Sequence, residues 1–96
     1  MKPEEVSPRN FKLEKIIFDN GDFSISYGEW ENGNKSLAMR WNGDPNDPDD
    51  KGYPKTFGNP MWFLVERDLT IPILTSLIGN ENSHKEELLK LLAELI

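Results

Sequence analysis

The sequence predicts an α+β fold: a four-stranded antiparallel meander followed by two C-terminal helices packed on one face of the sheet. Three observations carry this. Two Asn-Gly pairs, Asn20-Gly21 and Asn32-Gly33, separate runs in which apolar and polar residues alternate. Such pairs favour tight antiparallel connections, because both central positions of a type I′ turn need positive φ. A continuous apolar run, "MWFLVE" at 61–66, supplies a fourth strand, central or covered on both faces. The hydrophobic period then becomes helical, and strands followed by helices imply segregated layers.

Taken in order, "FKLEKIIF" at 11–18 is rich in β-formers and partly alternating. "FSISYGEW" at 23–30 sets Phe23, Ile25 and Tyr27 on one face against Ser24, Ser26 and Gly28 on the other. "KSLAMRWN" at 35–42 sets Leu37, Met39 and Trp41 against Ala38, Arg40 and Asn42. Residues 42–60 hold four prolines, three glycines and four aspartates, so no regular element runs through them. They read as a long Pro/Asp-rich loop at 43–60, of a length that is often functional. In the first helix Thr70 is placed as N-cap, Pro72 falls in the first turn and Gly79 supplies the stop. The second begins at Ser83, whose spacing to Glu86 is that of a capping box. Leu88, Leu91, Leu92, Leu95 and Ile96 form an apolar stripe nearly half the circumference wide.

The 96 residues fit a single domain, with 1–10 as a solvated, flexible lead-in. That lead-in, "MKPEEVSPRN", has no apolar region of a secretory signal, and no run approaches a membrane span. The absence of cysteine removes disulfides and thiolate chemistry, and fits a cytoplasmic location. The net charge is −6, from 11 Lys and Arg against 17 Asp and Glu. That sign opposes non-specific nucleic-acid binding, whose affinity comes mainly from cations at phosphates.

No catalytic, cofactor or metal signature emerges. The only histidine, His84, sits in a polar stretch at the head of the last helix, where it reads as a solvated residue. In "DPNDPDDKG" a calcium loop starting at Asp44 would place Pro48 at its third ligand position. One starting at Asp47 would place Lys51 there and Gly58 at its twelfth residue. Neither register supplies the oxygens required. Trp30, Trp41 and Trp62 lie on predicted strands, interleaved with Lys35, Arg40, Lys51 and Lys55. Bases stack on sheet aromatics in single-strand binders. The competing reading puts the tryptophans in the core or a dimer seam, since each ring buries a large area. Arg40 is expected to cross the sheet face and pin the loop through its aspartates, with an anion contact as the alternative. The wide leucine stripe (Leu88, Leu91, Leu92, Leu95) exceeds what one sheet face needs, so it reads as either a helix-packing surface or a dimer seam.

"LAMRWNG" and "GYPKTFGNPMWFLV" resemble small uncharacterised bacterial proteins of the kind carried on integron gene cassettes. The resemblance spans roughly residues 16–79 and implies a stand-alone accessory protein with no assigned activity. The layout, with "SLAMRWNG" and "GNPMWFLVERDLTIPILTSL", is similar to the transcriptional coactivator family that binds single-stranded DNA as a homodimer. That family's basic N-terminal arm has no counterpart here, and a second helix is added.

These readings converge on a non-enzymatic binding protein, a homodimer with a further protein partner. Single-stranded nucleic acid is the first alternative, and a small ligand or substrate the second. Binding is assigned to Tyr53, Lys55, Arg40, Trp30 and Trp41. Phe57, Trp62 and Phe63 are expected to anchor the loop to the core, leaving Tyr53 and Lys55 free for a partner.

Overall fold

A computed structural model describes all 96 residues. Strands β1 (Lys12–Asp19), β2 (Phe23–Glu31) and β3 (Asn34–Trp41) form the antiparallel meander. A minute hairpin, β4 (Lys55–Thr56) and β5 (Asn59–Pro60), interrupts the long loop. Strand β6 (Phe63–Leu64) closes the sheet in the order β1-β2-β3-β6. Helices α1 (Thr70–Leu77) and α2 (Lys85–Leu95) follow. Neither is long and apolar enough to cross a membrane.

The two Asn-Gly turns differ. Asn32 and Gly33 both take positive φ, 39° and 89°, as a type I′ turn demands. In the first connection only Gly21 does. There the Asn20 side chain accepts from the Asp22 and Phe23 amides at 2.9 and 2.8 Å, so it caps a wider turn. Register shifts between Leu13 and Lys15, and between Ile16 and Phe18, explain why "FKLEKIIF" alternates only in part.

Each face of the sheet has its own core. On one face Ile25, Tyr27 and Leu37 pack with Leu74 of α1 and Leu88, Leu91 and Leu92 of α2. On the other, Ser24, Ser26, Gly28, Ser36 and Ala38 present small side chains. Small residues let backbone and rings approach closely. Phe11, Val6 and Trp62 fill that space, and the Trp62 indole donates to the Val6 carbonyl at 2.9 Å. The lead-in at 1–10 is solvated only in part: Pro3 and Val6 are buried and Val6 joins the back core, while most of its other residues stay exposed.

Three expected boundaries change. The run 61–66 yields a two-residue edge strand instead of a central one. Met61 is diverted to the Pro54 carbonyl at 2.9 Å, and Trp62 turns into the back core. Glu66 then accepts from the Asp68 amide and starts a 3-10 turn that runs into α1. Thr70 is accordingly the first residue of α1 and not its cap. Ser83 precedes the true cap position, His84, and donates its hydroxyl to the Leu77 carbonyl at 2.7 Å. No capping box forms there. Instead residues 82–84 lie along β1, with Asp19 N bonded to Asn82 O and His84 N to Ile17 O. This shields one edge of the sheet.

Candidate functional site

The long loop is held from behind and from within. Arg40 points to the back of the sheet, where it is only 1% exposed. Its guanidinium donates to the carbonyls of Met61 and Lys51 and lies 5.9 Å from the Trp62 ring centre. No aspartate pairs with it, which corrects the expected ion pair and removes Arg40 as an anion contact. Backbone carbonyls can approach a buried cation without bringing a second charge that would also need desolvation. Burial pushes the Arg40 pKa down, and its Nε has no partner.

The loop aspartates serve the loop itself. Asp50 accepts from the Asp44 and Gly52 amides at 2.8 and 2.9 Å, and those bonds lower its pKa. Asp44 and Asp47 each accept from the amide two residues on, as in Asx turns. Gly52, at φ 74°, lies against the Trp41 carbonyl with no room for a Cβ. These constraints set Tyr53 beside the end of β3, where the Tyr53 and Trp41 backbones exchange hydrogen bonds of 2.7 and 3.0 Å.

At that corner the helices do not cover the sheet. Phe23 pairs with Trp41 across β2 and β3, and their rings meet edge to face at 4.7 Å. Met39 pairs with Phe63 of β6, on the same face. Trp41, Tyr53 and Phe63 are 56%, 66% and 66% exposed. With Phe23, Met39 and Pro54 they line a groove of about 190 Å³, bordered also by Arg40. Pockets for drug-sized ligands run to about 300–1,000 Å³, so this one suits a single inserted side chain.

Of the five residues assigned to binding, the fold brings only Tyr53 and Trp41 together. Lys55 is exposed on β4, outside the groove. Trp30 is half-buried against the back core, and Arg40 is sealed beneath the loop. Among the expected loop anchors, Trp62 is buried, but Phe57 is 99% exposed and Phe63 lines the groove. Leu88, Leu91 and Leu92 are consumed by the chain's own core, and only Leu95 of that set reaches the surface. His84 is exposed. Phe23 is expected on a strand face and Phe63 as a loop anchor, and neither is assigned to binding from the sequence. The register set by the Asn32-Gly33 turn alone would put Phe23 opposite Asn42; the shift between Glu29 and Glu31, which no local signal marks, brings it opposite Trp41. Phe63 depends on a pairing across 24 residues that no local signal reveals.

No family model, curated protein or solved structure matches the chain.

Proposed function

We propose that the protein is a non-enzymatic binding module that takes a protein partner through the aromatic groove of Phe23, Trp41, Tyr53 and Phe63. The contiguous exposure of three large rings on one face carries this reading. Clustered exposed aromatics of this kind mark interaction surfaces, and Trp and Tyr are enriched among the residues that dominate binding energy. The groove is backed by paired strands and by a loop fixed through Arg40, so its rings are held in place before binding.

A peptide fits better than single-stranded nucleic acid. Trp30 lies on the back face, Trp62 is buried, and Trp41 alone of the tryptophans joins the groove. A continuous stacking path needs successive rings along one surface with cations beside it.

The test is a random short-peptide display selection on the wild-type protein, counter-selected on Trp41→Ala and Phe63→Ser. Circular dichroism confirms that each variant is folded. Peptides that bind the wild type and lose at least about tenfold in affinity on either variant are expected, as for hot-spot truncations. If no peptide shows that dependence, the groove is not the binding surface.

A further inference from the structure

The Trp41 ring has a second side. Asp22, Gly43, Asp44 and Pro45 line a shallow notch there, with Trp41 as the wall it shares with the groove. The position of Asp22 is fixed: its carbonyl accepts from the Asn42 amide at 2.7 Å. Asn42, buried, also accepts from the Ser24 hydroxyl and donates to Asp19 and the Gly21 carbonyl. The Asp22 carboxylate itself has no ion-pair partner in the chain, and the Asp44 carboxylate accepts only from the Asn46 amide. The nearby loop cations face elsewhere. Lys51 Nζ is turned to the Gly58 carbonyl at 3.3 Å, and Lys55 stands on the small hairpin.

We infer that the groove's partner is a basic segment: one apolar side chain inserts between Tyr53, Pro54 and Phe63, and a neighbouring Lys or Arg lies across Trp41 onto Asp22 and Asp44. This rests on the aromatic-groove reading above. Charge complementarity selects the occupant. A cation over an indole face gains from the ring's quadrupole, and two carboxylates at its edge add to that attraction. The order of the two side chains also follows. The apolar residue belongs on the side lined by Tyr53, Pro54 and Phe63, and the basic residue on the side lined by Asp22 and Asp44. A second copy of this chain fits poorly, because two-fold packing of the patch would bring Asp22 and Asp44 of both copies together on chains of net charge −6.

The probes are the Trp41-dependent peptides from the display selection, fluorescently labelled and titrated by anisotropy at low and moderate salt. They should be net basic, with a cation close to an apolar residue. Their affinity should fall with salt, and by about tenfold or more on Asp22→Asn with Asp44→Asn, a double variant that leaves the aromatic rings intact. If Trp41-dependent peptides emerge that are neutral or acidic, or that bind the double variant as well as the wild type, the basic partner is refuted while the groove stands. If none depends on Trp41, both readings fall.

Discussion

Replacing Arg40 by methionine keeps most of the side-chain volume and removes the charge. Two hydrogen bonds from an ionised donor, to Met61 O and Lys51 O, are lost. At about 1.5–3 kcal/mol each they sum to roughly 3–6 kcal/mol. The contact with the Trp62 face adds about 0.5–1 kcal/mol. Against this, methionine relieves a buried cation whose Nε is unpaired, a gain of about 1–3 kcal/mol. At mid-range values the expected net loss is about 3 kcal/mol, within a span of about 0.5–6 kcal/mol. For a domain of this size each kcal/mol moves the melting temperature by about 4–8 °C, so a drop on the order of 10–20 °C should be seen. Urea unfolding gives the free energy, and amide exchange locates it: Tyr53 and Met61 should lose more protection than the β1–β2 ladder, which should fall only with the global stability. Arg40→Lys should fall between, because one ammonium has to span two carbonyls placed for a guanidinium. If Arg40→Met matches the wild type within about 0.5 kcal/mol, desolvation cancels the bonds and Arg40 does not hold the loop.

Two further outcomes follow from the same contacts. The depressed pKa of Asp50 means that the order it confers is full above the ordinary aspartate value of about 3.9 and is lost as pH falls below it. The Asp44 and Gly52 amide shifts should move together through that acid window, and in Asp50→Ala they should be displaced at every pH; flat titrations in the wild type would show that the carboxylate is not bonded to them. A Cβ at Gly28 would sit against the Lys12 carbonyl and 2.7 Å from the Phe11 ring. Gly28→Ala should therefore cost about 1–3 kcal/mol by overpacking, read from the urea midpoint, and an unchanged midpoint would mean that Phe11 does not rest on the sheet there.

The sheet was legible because its signals are local. Asn-Gly turns and period-two alternation act within a few residues, and they place Phe23, Ile25 and Tyr27 on one face as found. What escaped depends on contacts between distant segments. Val6 reads as one apolar residue in a polar stretch, yet it meets Trp62 across 56 residues. "MWFLVE" looks like a covered strand because its first five residues are apolar, but they pack against different surroundings. Trp62 faces the back core, Phe63 the groove and Val65 the helix side. The acidic loop suggested a partner for Arg40. Three of its four carboxylates, those of Asp44, Asp47 and Asp50, accept instead from amides two to six residues away, which are closer in sequence and cost less chain entropy to reach.

The site exists because the two covers of the sheet are unequal. An eight-residue helix such as α1 is about 12 Å long, while eight-residue strands such as β1 and β3 extend about 26 Å. The helices reach Ile25, Tyr27 and Leu37 but stop short of the corner where Trp41 ends β3. A sequence selected only for stability would place polar residues beyond that limit, as it does on most exposed strand positions. Here the corner holds Trp41, Tyr53 and Phe63, drawn from three separate segments of the chain. The back face supplies the means. Its small side chains leave room for the Arg40 guanidinium to reach under the loop, and that anchoring keeps Tyr53 beside Trp41. Stability and exposure are thus coupled in one residue, so Arg40→Met should weaken peptide binding at the groove even though Arg40 is shielded from any ligand. A variant that lost loop protection yet bound the selected peptides with wild-type affinity would break that coupling.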